Sequence, residues 1–114
     1  MAGPSEGPVV RFDAIRSAGF AAITPAYTAV GPSFPRPMRL IYVTNMTNGD
    51  MMFSFTGNTD HFVVPAMGYI IFDFSSNKID GNDGFFLQKG TQMYIKSLSV
   101  PTSGTVYITA VYGS

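Results

Sequence analysis

The residues that could carry chemistry are few. The single histidine, His61, follows Asp60, and a histidine beside a carboxylate is the raw material of a general base. Adjacent residues of a strand point to opposite faces, so this pair is poorly placed for mutual activation, and His61 reads as a polar strand-end residue. Serines are plentiful, but none is set at a strand-to-helix nucleophile elbow. The run Asp80-Gly81-Asn82-Asp83-Gly84 resembles a calcium loop at a glance. An EF-hand alternates oxygen ligands before its glycine and ends on a glutamate. Here Gly84 takes the fifth position and no glutamate follows, so the run reads as a tight solvated turn. With one histidine and no cysteine, a structural zinc site has no ligand set. Asn45-Met46-Thr47 is a formal glycosylation sequon that carries no weight without a secretory signal. No cofactor or metal is expected, and no enzymatic activity.

The bulk numbers point towards contact with protein. Charged residues make up 12% of the 114 and aromatics 14%, whereas about 25% charge is usual. A small domain has much surface, and a weakly charged, aromatic surface fits burial against other proteins. Seven basic residues balance seven acidic ones. Neither half of the chain is basic enough for a nucleic-acid footprint. No stretch reaches the roughly 18 apolar residues of a membrane span, and the N-terminus lacks a signal-peptide pattern. A soluble protein made in the cytoplasm, in contact with neither nucleic acid nor membrane, is the expectation.

The elements that would position these residues are strands. Arg39–Asn45 and Met51–Phe55 flank Asn48-Gly49, the strongest short hairpin signal, because a type I′ turn needs positive φ at both central residues. An antiparallel pair is expected there. Further strands follow at His61–Val64, Tyr69–Phe74, Phe85–Gln88, Thr91–Val100 and Thr105–Tyr112. Turns are marked by Pro65 and Gly68, by Lys89-Gly90, and by Pro101 and Gly104. About seven short strands turned every 8 to 12 residues are the mark of a β-sandwich or barrel. The fold expected for residues 39–114 is a small antiparallel β-sandwich or jelly roll. Several strands are apolar on both faces, so one outer face should be covered.

Residues 1–38 differ in composition. Pro4, Pro8, Pro25, Pro32, Pro35 and Pro37 exclude long helices near both ends. Phe12–Ala18 could form a short helix or a strand, and Phe20–Ile23 and Tyr27–Val30 are β-capable. The segment is too apolar for a disordered tail and reads as an extended arm. It either covers its own domain or reaches a neighbouring subunit. In the second case Arg11, Phe12, Arg16, Phe20, Tyr27, Phe34 and Arg36 are the candidate partner-binding residues, through β-augmentation and bidentate guanidinium contacts.

The runs Arg39–Ser54, Val64-Pro65-Ala66 with Tyr69–Asp73, Gly90–Lys96 and Pro101–Tyr107, in that order, resemble small virion structural proteins encoded near the head genes of tailed bacteriophages. The resemblance implies a non-enzymatic β-sandwich virion component. The expected function is a capsid cement or decoration protein on the capsid surface, homo-oligomeric as a dimer or trimer, whose arm clamps the major capsid protein or other virion proteins. A head–tail connector or neck component is the alternative within the virion. A carbohydrate-binding module using Tyr42, Tyr69 and Tyr94 is the alternative of another class.

Overall fold

The computed structural model describes residues 10–74 and 87–113. Among these, nine strands form two antiparallel sheets: β1 (Val10–Phe12), β2 (Arg16–Gly19), β3 (Thr28–Ala29), β4 (Leu40–Asn45), β5 (Met51–Ser54), β6 (Phe62–Val64), β7 (Tyr69–Asp73), β8 (Tyr94–Ser97) and β9 (Thr105–Gly113). The first sheet runs β1-β9-β4-β7, with β2 also on β9; the second runs β3-β8-β5-β6. The all-β sandwich expected from strand spacing is the architecture observed. Leu87 makes an isolated bridge to Met38. Phe85, Phe86 and the Asp80–Gly84 turn lie outside the described residues.

Side-chain alternation builds the interior. Ile41, Val43 and Asn45 of β4 point inward while Leu40, Tyr42 and Thr44 point out, as period-two geometry dictates. Val106, Ile108 and Ala110 of β9 face Met51, Phe53, Met93 and Ile95 of the second sheet, all buried in one cluster.

The hairpin expected across Asn48-Gly49 does not form. β4 pairs with β7 and β9, and β5 pairs with β6 and β8. The turn therefore carries the chain from one sheet to the other. Neither Asn48 nor Gly49 adopts the left-handed conformation that a type I′ turn needs. Glycine is required at 49 for another reason: a Cβ there would run into the carbonyl oxygen of Ser99. Asn48 instead ties two loops together, its Nδ2 donating to Thr102 Oγ1 (2.7 Å) and its Oδ1 accepting from the Thr102 amide (2.9 Å).

The crossover is held by a buried polar hub. Asn45 is fully buried. Its Nδ2 donates to the carbonyls of Gly49 (2.9 Å), Val64 (3.0 Å) and Pro65 (3.2 Å). Its Oδ1 accepts from the amide and the hydroxyl of Thr47. The asparagine of the formal sequon is thus committed to the interior. Gly68 N–H donates to the Pro65 carbonyl at 2.9 Å, so Pro65 opens the turn and Ala66 and Met67 are its corners. Gly104 has φ 96°, and a Cβ there would collide with the backbone of Met46 and Thr47.

Residues 10–38 are stitched into the sandwich, so position 38 marks no packing boundary. β1 and β2 run antiparallel along β9, and the register shifts by one residue between Phe12↔Val111 and Arg16↔Ile108. This is a bulge at residues 13–15. Phe12–Ala18 is therefore strand and bulge, not helix; a 3-10 turn follows at Phe20–Ala22. Beyond β3, Val30 N–H donates to Met93, Phe34 to Thr91 and Met38 to Leu87. Ile23, Val30, Phe34 and Met38 all lie in the core. Of the two readings of the arm, packing on its own domain is the arrangement observed for residues 10–38.

This packing sets three stability expectations. Phe34→Ala should cost about 3–5 kcal/mol, the range for emptying a buried aromatic site, and removal of residues 1–36 should prevent cooperative folding; denaturant titration checks both. Asn45→Asp keeps the shape but aims a carboxylate at three carbonyls, so it should cost about 3 kcal/mol or more, the scale for a buried charge left without a donor. An unchanged unfolding midpoint for that variant would show that the hub is not needed.

Candidate interaction surface

The expected partner-binding side chains of the arm are dispersed by the fold. Arg16 is buried at 5% exposure. Its guanidinium pairs with Asp13 Oδ2 at 2.8 Å, donates to the carbonyls of Ala14 (3.1 Å), Pro32 (3.0 Å) and Ser33 (3.4 Å), and stacks 4.4 Å from the Phe34 ring centre. A buried charge is tolerable only when paired and hydrogen-bonded in this way. Gly31, at φ 66°, lets the chain lie against the Arg16 stem, where a Cβ would sit 2.6 Å from Cγ. Arg16 and Phe34 therefore latch the arm to its own domain. Arg36 lies over the Tyr112 ring at 4.9 Å, and Arg11 is engaged as well. Phe12 (71% exposed) and Phe20 (40%) are the two aromatic arm candidates whose side chains remain largely on the surface. Beside Arg16 a cavity of about 230 Å3 is lined by Ile15, Pro32 and Pro35 among others. Its two charges, Arg16 and Asp13, already satisfy each other.

Tyr27 joins a cluster on the second sheet. Its hydroxyl donates to Asp60 Oδ1 at 2.5 Å, Lys96 Nζ lies 3.1 Å from the same oxygen, and Lys96 also sits 4.7 Å from the Tyr27 ring centre. Desolvation, then the hydrogen bond and charge of Asp60, push the Tyr27 hydroxyl up to about 12. The hydrogen bonds from Tyr27 and Lys96 hold the Asp60 carboxyl below its usual range. His61 makes its hydrogen bonds within its own loop: its Nδ1 accepts from the Phe55 amide at 3.0 Å and its own amide donates to Phe53. It closes a loop, as a strand-end residue would.

The outer face of the first sheet carries a group of exposed apolar side chains among the described residues. Cross-strand register sets its side chains in rows. Phe12, Val111, Leu40 and Asp73 are neighbours; so are Thr109, Tyr42 and Ile71; so are Ser17, Tyr107, Thr44 and Tyr69. Thr105 and Met46 extend the face at one end, joined by the Met46 N–H to Thr105 carbonyl bond. Tyr69 is 65% exposed and Ile71 53%. Asp73, at one corner, is the one charge among these positions. The second sheet, by contrast, carries Lys96 and Asp60 on its outer side. Period-two alternation along β4 puts Leu40, Tyr42 and Thr44 on one face. It could not show that β7 and β9 lie beside them, because strand order is not written in local alternation.

The three tyrosines considered for sugar stacking do not form one platform. Tyr42 and Tyr69 meet edge-to-face, with ring centres 5.8 Å apart and planes at 72°. Tyr94 belongs to the other sheet, where its ring covers Gly57. No family model matches the chain, and no curated protein or solved structure matches it.

The Tyr27–Asp60–Lys96 cluster gives a pH signature with two windows. Asp60, whose folded pKa is depressed, adds stability that is present above the ordinary carboxylate value of about 3.9 and lost as pH falls through its folded value. Tyr27, whose folded pKa is raised, adds stability that is present below about 10 and lost as pH rises towards 12. Thermal melts should show both losses, and both should shrink in Tyr27→Phe. Ultraviolet titration of the wild type should show a tyrosine ionising near 12 that the variant lacks.

Proposed function

We propose that this protein is a non-enzymatic structural component of a tailed-phage virion, a capsid cement or decoration protein that docks the outer face of its first sheet on the major capsid protein or another virion protein. One observation carries this reading. The face spanned by Phe12, Leu40, Tyr42, Tyr69, Ile71 and Tyr107 is apolar and aromatic with a single charge at its corner. Contiguous exposed apolar patches on small proteins mark interaction sites, and aromatic residues dominate the energetics of such contacts. The resemblance of residues 39–113 to small virion structural proteins supports the same reading and supplies the setting.

The geometry moves the docking element. A clamp built on the whole arm would need Arg16, Tyr27 and Phe34, all engaged within the protein's own fold. Phe12, at the edge of the sheet face, lets the arm contribute without leaving its domain. A head–tail connector would use the same surface with a different stoichiometry.

Tyr107→Lys should place a charge in the middle of the face while leaving the circular dichroism spectrum unchanged. Binding to particles lacking the protein should fall by about tenfold or more, the factor for roughly 1.4 kcal/mol. Full occupancy by this variant would reject the face as the docking element. Quantitative mass spectrometry of purified particles then separates the stations. A copy number comparable to that of the major capsid subunit means cement, and a handful of copies means connector.

A further inference from the structure

Natural sheets protect their edges, because an open row of backbone donors and acceptors invites another strand. Among the described residues, three of the four sheet edges are protected. β1 and β2 form an edge broken by the bulge at residues 13–15. β3 has two residues. β6 has three and runs into Pro65. The fourth edge, β7, is five residues long, Tyr69-Ile70-Ile71-Phe72-Asp73, with neither proline nor lysine. Among the described residues it pairs with β4 alone.

The direction of its backbone groups follows from two hydrogen bonds. Phe74 N–H donates to Arg39, and Gly68 accepts from Asn45 N–H. Both bonds lie on the β4 side, in the register Leu40↔Asp73 to Thr44↔Tyr69. In an antiparallel ladder, a residue's N–H and C=O point to the same neighbour and the direction alternates along the strand. Ile70 and Phe72 therefore bond β4, and Tyr69 and Ile71 present their backbone groups at the outer edge.

We propose that β7 is a self-pairing edge: two copies of this chain join antiparallel β7 strands about a two-fold axis at Ile70. In this register Tyr69 of each copy stands opposite Ile71 of the other, and each residue's outward N–H meets the other's outward C=O. The side chains brought together are the two exposed apolar ones of the strand, Tyr69 and Ile71. An aromatic beside a β-branched residue is a favourable cross-strand pair. The antiparallel sense also sets the two Asp73 carboxylates at opposite ends of the joint, whereas a parallel pairing would align like charges. Axis and residues are the same on both copies, as an isologous interface requires. The result joins two first sheets edge to edge and makes their outer faces one continuous surface. A strand-edge contact is small beside the roughly 1,600 Å2 of a standard interface, so the dimer should be concentration-dependent, with a midpoint in about the micromolar range or weaker.

The pairing concerns the free chain in solution. Its failure would leave the docking of the sheet face to the particle-binding test above. Sedimentation equilibrium of the full chain should show a monomer–dimer equilibrium. Ile71→Pro removes a donor that faces the open edge, a position where proline is tolerated, so it should fold and stay monomeric. Ile71→Lys keeps the donor and adds the charge that natural edges use; it should shift the dimerisation midpoint upward by at least about tenfold. The chain has no cysteine, so single-cysteine variants report the register. Residues at the axis form a non-hydrogen-bonded pair with Cα atoms about 4.5 Å apart, within disulfide reach. Ile70→Cys should therefore cross-link to itself on oxidation, and Tyr69→Cys should cross-link efficiently only with Ile71→Cys. A wild-type chain that remains monomeric at high concentration would overturn the proposal. So would a dimer that survives both Ile71 substitutions, or cross-linking of Ile71→Cys to itself in preference to Ile70→Cys.

Discussion

The sandwich depends on one buried amide. Where β4 leaves the first sheet and β5 enters the second, the carbonyls of Gly49, Val64 and Pro65 converge on the Asn45 side chain. A buried carbonyl without a donor costs free energy comparable to a lost hydrogen bond. Asn45 offers Nδ2 to all three and keeps Oδ1 for Thr47. Only a side chain with both a donor and an acceptor end can do this in so little space. Because β4 and β5 are interior strands of their sheets, fixing the crossover fixes how the sheets face each other. The loop before β7 hangs on the same hub through Pro65, and Asp50 reinforces it by accepting from the Ala66 amide at 2.9 Å.

The first 38 residues show how a small domain enlarges its core. A chain of this size without cysteines buries little surface. Residues 28–38 run antiparallel to residues 87–95, and Val30, Phe34 and Met38 close one flank of the interior. The bulge at residues 13–15 turns Arg16 inward, where its stem fills space beside Gly31 and its guanidinium satisfies three carbonyls and Asp13. One of seven cations is spent on structure in a chain already low in charge. The remaining surface is correspondingly apolar, and the outer face of the first sheet gathers Phe12, Tyr69, Ile71 and Tyr107 of its exposed apolar side chains. A face of this kind, and a β7 edge that pairs with β4 alone among the described residues, both favour contact with protein over contact with water.

By itself, the sequence determined the fold class and which residues of each strand share a face. Alternation along a strand is a local property of the backbone, so Ile41, Val43, Met93, Ile95, Val106 and Ile108 declare their side without knowledge of any partner. It also marked the points where the chain turns. Pairing was decided only by the tertiary structure. Asn48-Gly49 can close a hairpin or carry a chain between sheets over the same number of residues. The choice went to the crossover, because Asn45 could satisfy the carbonyls it exposes and Gly49 could pass beneath Ser99. The destination of the arm was hidden for a similar reason. Val30 and Phe34 look the same whether they enter their own core or a neighbour's, and only the backbone bonds to Met93 and Thr91 settle it for residues 28–38. The aromatic face was half legible: Leu40, Tyr42 and Thr44 were placed together by alternation. Tyr69, Ile71, Tyr107 and Phe12 join them only through long-range register, which no local pattern encodes.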